Sequence, residues 1–251
     1  MSDDYRIIAD FYDAIYAFRT QDVAFYVALA REGQGPILEA GCGTGRITLA
    51  LAETAHEIHG LDASPMMLRI LYDKLADRPR FSLHLHEGDM RTFALDKKFA
   101  QIFVPFRAFL HLDTIEDQLL ALQNFHRHLL PDGRLIIDIF APSYKIMSRD
   151  KFTATLPAQQ LPDGRIVTVS DHTAYTHCDQ RLDVERHIDV ISADGTLRRY
   201  LDHFHLRYIF RYEMELLLHA TGFRLETVYG DFDRRPYDYH SGEMIFVARP
   251  V

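Results

Sequence analysis

The stretch that most constrains this 251-residue chain is Leu38-Glu39-Ala40-Gly41-Cys42-Gly43-Thr44-Gly45-Arg46, with three glycines at alternating positions. It follows Pro36 to Ala40, a short apolar run that reads as a buried strand, and precedes Thr48 to Glu53, which reads as a helix. Glycines in such a loop let backbone approach a bound ligand closely at the carboxyl edge of a sheet. The spacing is G-x-G-x-G, and Arg46 stands where G-x-G-x-x-G would put its third glycine. That argues against the usual dinucleotide fingerprint, in which pyrophosphate sits on the helix N-terminus. Glu39 points the same way, because a carboxylate repels a diphosphate and suits a ligand carrying an ammonium group.

Around this loop strands and helices alternate. Apolar residues recur at helical spacing from Ile7 to Arg31. Further strands are expected at Glu57 to Leu61, Phe81 to His86, Ala100 to Pro105 and Arg134 to Phe140. Ser64 with Pro65 opens a helix running to Leu75, and Ile115 to Leu130 is amphipathic and closed by the turn residues Pro131-Asp132-Gly133. Strand alternating with helix over 36–140 predicts an open α/β fold with a mostly parallel sheet. From Phe152 to Phe210 the helical period vanishes, and three strand-like runs are separated by Asp163-Gly164 and Asp194-Gly195. The α/β pattern resumes with a helix from Arg211, a strand from Phe223 to Tyr229 and a last strand from Glu243 to Ala248, seven α/β strands in all. The expected organisation is a ligand-binding domain, 1–150 and 211–251, interrupted at 151–210 by an antiparallel β meander.

Two further strand ends carry acids. Asp62 closes the second strand 21 residues after Gly41, where a carboxylate can take both hydroxyls of a ribose; the alternative is a cap on the following helix. Gly88-Asp89-Met90 closes the third. Asp89 can accept from an adenine amino group with Met90 near the ring, or serve as a turn residue.

Through ILEAGCGTGR, GLDAS, EGDM and LLPDGRLIIDIF the chain resembles the class I S-adenosylmethionine-dependent methyltransferases over 36–140. The likeness extends more loosely to Asp10-Phe11-Tyr12-Asp13-Ala14-Ile15-Tyr16 and Ala220-Thr221-Gly222-Phe223. It implies a Rossmann-like sheet of seven strands with helices on both faces. It also implies S-adenosyl-L-methionine as cofactor and S-adenosyl-L-homocysteine as product. The resemblance places the methionine part on Glu39, Gly41 and Gly43, the ribose on Asp62 and the adenine on Asp89 and Met90. Tyr12 and Tyr16 would close over the cofactor, with Ala40, Arg46, Ala63, Met67, Gly88 and Phe106 as its other neighbours. One departure is the fourth strand, Phe99-Ala100-Gln101-Ile102-Phe103, which lacks the acid often found near its start. Methyl transfer from a sulfonium is an in-line displacement that needs alignment and a dry cleft more than acid or metal.

The acceptor side is less sharply marked. His111, after the fourth strand, reads as a base or as a structural cap; Arg107 reads as an anion-holding group or a solvated loop residue. Tyr200 and His203 in the meander, and Arg235 and Tyr237 in GDFDRRPYDYHS, are the remaining candidates. This last segment resembles one found in methyltransferases of small molecules, including amino sugars. The meander is expected to cover the acceptor with one face and to pair with a second subunit through another.

Bulk properties narrow the partners. The formal net charge is −8, against a general DNA-binding role. Two cysteines rule out a disulfide framework, and the absence of a signal-like or membrane-spanning run makes the cytoplasm the expected location. His84 and His86 share a strand face, but sequence places no carboxylate or third histidine beside them, so no metal is expected. The reading is methyl transfer to a nitrogen or oxygen of a small molecule. The alternatives are an NAD-dependent oxidoreductase, since Asp62 suits either ribose, and a non-catalytic cofactor-binding or oligomerisation module.

Overall fold

A computed structural model describes residues 8–54, 57–76 and 82–251. Ile7 and Phe81, where the sequence reading opens a helical stretch and the third strand, lie outside them. The chain begins with a 3-10 turn, Ala9–Phe11, then α1 (Tyr12–Ile15) and α2 (Gln21–Glu32). Next come β1 (Ile37–Ala40), α3 (Thr48–Ala52), β2 (Ile58–Asp62), α4 (Pro65–Leu75), β3 (Leu83–Glu87) and β4 (Phe99–Val104). A second 3-10 turn, Ala108–His111, leads to α5 (Ile115–His128), β5 (Leu129–Phe140) and α6 (Tyr144–Met147). Then follow β6 (Lys151–Thr155), β7 (Gln159–Gln160), β8 (Ile166–Thr176), β9 (Arg181–Ile191) and β10 (Leu197–Arg207). The chain ends with α7 (Arg211–Ala220), β11 (Phe223–Tyr229) and β12 (Glu243–Pro250).

The main sheet has seven strands in the order β11-β12-β5-β4-β1-β2-β3. The five strands β1 to β5 pair in parallel, and β12 and β11 join antiparallel. From β1 the chain steps outward to β2 and β3, then returns to β4 on the other side of β1. That reversal opens a crevice at the carboxyl ends of β1 and β4, where α/β sheets hold ligands. Every residue of β1 is buried, as a central strand covered on both faces requires. One face packs against Leu122, Phe125, Met214 and Leu218 of α5 and α7, the other against Phe25, Tyr26 and Leu29 of α2 and Leu51 of α3. Ser64 caps α4 by accepting from the Met67 amide, with Pro65 in the first turn.

The sequence reading of Pro131-Asp132-Gly133 as the turn ahead of a strand is corrected. Leu129 already pairs with Phe99 and Arg134 with Gln101, so β5 spends five residues where β4 spends two. The turn-forming residues are looped out as a bulge inside one strand.

The meander is a separate antiparallel sheet, β10-β9-β8-β6, with β7 added on β8. Its strands alternate: Leu182, Val184, Arg186, Ile188 and Val190 of β9 are buried, while the residues between them are more exposed. The buried face packs Val167, Val169, Ile188 and Val190 against Ile8, Phe11, Ile15 and Tyr16, so the N-terminal helical segment lies beneath the inserted sheet. Among the described residues no helix is long and apolar enough to cross a membrane.

Candidate functional site

The loop after β1 folds on its glycines. Gly41 has φ +81°, and a Cβ there would come within 2.6 Å of the Ala108 Cβ, so only glycine lets the loop after β4 approach this closely. Gly43 has φ +53° and nothing within 4 Å of where its Cβ would be, leaving bare backbone facing open space. Its amide donates to Asp62 Oδ2 at 2.7 Å, and the other Asp62 oxygen accepts from the Ser64 amide. Asp62 therefore braces the loop, while Ser64 supplies the helix cap.

Behind the loop Glu39 is 2 % exposed and accepts from Thr48 Oγ1. Burial pushes its carboxyl up to about 8; the Thr48 hydrogen bond and the Arg46 charge pull the other way without compensating. Such a carboxyl is completed by a cation. Arg46 is not free to be that cation, because its guanidinium is forked onto Asp22 and the Arg19 carbonyl and lies 4.9 Å from the Phe106 ring centroid.

Asp89, at the end of β3, is gripped by Arg91, which also reaches Asp117. Burial alone would raise the Asp89 carboxyl, but Arg91 holds it below the usual range. Met90 is partly buried against the main core, and Gly88, Ala40 and Met67 pack at or under the strand ends; Ala63 is exposed.

Three aromatic rings cluster beside Arg46 at the end of the loop. The Tyr12 and Tyr16 ring centroids are 4.8 Å apart, and Tyr16 lies 4.9 Å from Phe106. Phe106 and Arg107 are consecutive left-handed residues at φ +55° and +66°, a strained pair for side chains of this size. Asp138 at the end of β5 holds them: its carboxylate accepts from both backbone amides and from the Tyr26 hydroxyl. Burial and the nearby Glu243 raise Asp138 to about 6. The Arg107 side chain turns away to Glu243 at 2.9 Å.

The inserted sheet joins the site through Arg186. Its guanidinium forks onto Asp171 at 2.7 Å for each oxygen, donates to the Tyr16 hydroxyl at 2.9 Å and lies 4.9 Å from the Phe204 ring. Below, Thr44 Oγ1 donates to Asp13 and Lys74 pairs with the same carboxylate. Helix α1 is thus fastened to the glycine loop on one side and to the insertion on the other. Asp13, Asp22, Asp138, Asp171, Arg186 and Glu243 are the groups that sequence reasoning missed.

The acceptor candidates divide. Tyr200 packs beside Phe11 on the buried face of the insertion, and His111 lies 6.1 Å from Phe204. Strand alternation turns His203 and His205 to the exposed face, and His205 pairs with Asp113; the fold does not bring His203 to the loop. Arg235 is exposed and paired with Asp231 and Asp233 within its own loop. Tyr237 packs against the main core under the Arg211 guanidinium.

Sequence alone places no carboxylate or third histidine beside His84 and His86; strand pairing supplies both. Pairing of β2 with β3 sets His59 level with His84, and Glu57 joins them.

A methyltransferase domain matches residues 37–133. The chain is 29% identical to the cypemycin N-terminal methyltransferase of a Streptomyces species, over 84% of this chain and 81% of that one. It is 26% identical to the dTDP-3-amino-3,4,6-trideoxy-alpha-D-glucopyranose N,N-dimethyltransferase of Streptomyces venezuelae, over 97% and 98%. The S-adenosylmethionine-bound structure of CalS10, an amino pentose methyltransferase from Micromonospora echinaspora, superimposes with a TM-score of 0.70 at 25% identity, covering 93% of this chain and 92% of that one. These likenesses do not favour the dinucleotide oxidoreductase alternative. Together with the glycine loop, the acids at successive strand ends and the sheet order, they show a methyltransferase domain at 37–133 in a chain that is an S-adenosylmethionine-dependent methyltransferase, with S-adenosyl-L-methionine as its cofactor.

Proposed function

We propose that the chain methylates an amine of a small molecule, with amino sugars as the acceptor class. The observation that carries the site reading is the bare backbone at Gly43, whose amide is bonded to Asp62, in the loop that follows the buried Glu39 carboxyl. The cofactor, when bound, supplies a methyl group on a cationic sulfur. Glu39 would answer the ammonium of its methionine part, Asp62 the ribose hydroxyls and Asp89 with Met90 the adenine. Ring faces near a sulfonium favour it by about 0.5–2 kcal/mol. Arg46 serves this site indirectly, by fixing Phe106 and the N-terminal segment.

On the acceptor side, Asp138 fixes the strained loop after β4 and so sets where the acceptor meets the methyl group. His111 is the candidate to take a proton from the methylated amine. Residues 151–210 act as the cover of a binding domain formed by 1–150 and 211–251, a reading supported by the Arg186 contact to Tyr16. Exposed Ile166, Leu197 and Leu201 support pairing of two copies through the insertion. The amine reading draws on relatives named for amino-sugar and peptide N-terminal methylation.

The test is a methyl-transfer screen with labelled cofactor across sugar-nucleotide amines, free amino sugars, peptide N-termini, carboxylates and phenols. Transfer to amino sugars ahead of the others is expected. Transfer to phenol or carboxylate oxygen alone overturns the amine reading, and S-adenosylhomocysteine binding with no transfer to any class favours a non-catalytic module.

A further inference from the structure

At the opposite end of β2 from Asp62, four residues with metal-binding chemistry share one face of the sheet. Glu57 and His59 are two apart, as are His84 and His86 on the edge strand β3, and His59 pairs in register with His84. The geometry points to a site for a divalent transition-metal ion of the zinc class, held by Glu57 Oε1, His59 Nε2 and His84 Nε2.

The candidate ligand atoms of these three residues all lie within 4.8 Å of one another. His59 Nε2 is 3.1 Å and His84 Nε2 3.6 Å from Glu57 Oε1. Ligands about 2.0–2.2 Å from a tetrahedral ion stand about 3.3 Å apart, so both separations from Glu57 are near that spacing, and the two histidines would close from within 4.8 Å. Two imidazoles and a carboxylate form a donor set that zinc uses, with the fourth position left to water.

The surroundings suit such an ion. His59 is buried, its ring within 8° of parallel to that of His86 and edge-on to Phe99, which fixes its ring plane. Its Nδ1 lies 2.9 Å from His86 Nε2. A proton on Nδ1 donated to His86 leaves the Nε2 lone pair for the ion, and His86 then orients the ligand without touching the metal. His84 is half exposed and gives access from solvent. A competing cation is already present: Lys97 Nζ sits 2.5 Å from Glu57 Oε1 and must swing aside. The ion would tie edge strand β3 to β2 and release Lys97 from Glu57.

The test uses the full chain without a histidine tag, stripped with a chelator and titrated with zinc sulfate by calorimetry and with cobalt chloride by absorption. One zinc per chain, a rise in melting temperature and a tetrahedral cobalt spectrum are expected, with no response to magnesium. His84→Ala is expected to weaken zinc binding by about tenfold or more, and Glu57→Gln likewise. Lys97→Met is expected to tighten it. His203→Ala, on the exposed face of the inserted sheet, is the control for chance histidine binding. Absence of zinc binding, or binding unaltered by His84→Ala and Glu57→Gln, overturns the proposal. Methyl transfer is not the readout, so failure here leaves the proposed function untouched.

Discussion

The carboxyl edge of the main sheet and the buried face of the inserted sheet meet at Tyr16 and are assembled by different rules. At the first, each strand ends in a contiguous motif: the glycine loop after β1, Asp62 at the end of β2 and Asp89 just after β3. Backbone conformation and neighbours in sequence do most of the positioning. At the second, position comes from register: Asp171 on β8 and Asp202 on β10 both stand opposite Arg186 on β9. No short motif records that row, because its members are 15 and 16 residues apart. A loop motif is local chemistry; a row across a sheet exists only after the strands have paired.

The comparison can be broken experimentally, and the largest effect is expected at the row. Arg186 has only 8% of its side-chain surface exposed, and Arg186→Met strands Asp171 without its partner. A loss of about 3 kcal/mol in urea unfolding is expected, with lost acceptor turnover. Unchanged stability would mean that the insertion is not energetically joined to α1. At the loop, Asp62→Ala is expected to weaken cofactor binding by about 1–3 kcal/mol in calorimetry, from unpaired hydrogen-bonding groups, while the fold survives. Equal cofactor affinity in the variant would remove Asp62 from the ribose role.

A smaller effect is expected from Glu39. Its folded value near 8 lies above the ordinary 4.5, so in that window the folded chain holds a proton that the unfolded chain does not. Stability therefore falls as pH rises through the window. A bound ammonium reverses the balance by favouring the carboxylate, so cofactor affinity is expected to rise from about pH 6 to about pH 8. The slope is expected to flatten in Glu39→Gln, and an identical slope in both would place the titration elsewhere. Smallest of all, His203→Ala is expected to leave acceptor kinetics alone and to change stability by no more than about 0.5 kcal/mol. A large loss of turnover there would put the exposed face of the insertion at the reaction.

The same division explains what was legible beforehand. Gly41, Gly43, Asp62 and the Ser64 cap could be read because each sits in a short contiguous motif, although Gly41 meets Ala108 and Gly43 bonds to Asp62 across longer stretches of chain. The seven strands of the main sheet and the antiparallel character of the insertion could be read from periodicity. Strands β6 and β7 were not read, since Lys151–Thr155 is a five-residue run with only Phe152 and Ala154 as apolar members and Gln159–Gln160 has only two residues. Pro131-Asp132-Gly133 misled because turn residues serve a bulge as well as a strand end. The Glu57, His59 and His84 grouping was hidden because its halves lie on two strands and become neighbours only when β2 and β3 pair. His111 and His203 were equal candidates in sequence; strand alternation, not composition, separates them.

The double fastening of α1 has a kinetic meaning. Thr44 and Lys74 hold Asp13 on the loop side, and Arg186 holds Tyr16 on the insertion side. A cover latched at both edges does not swing on one hinge. On the proposed reading of Tyr12 and Tyr16 as closing over the cofactor, spent cofactor would leave only when both latches release, an event shared by two sheets rather than a local one. The dissociation rate of S-adenosylhomocysteine and amide hydrogen exchange in β9 would then rise together when either latch is cut.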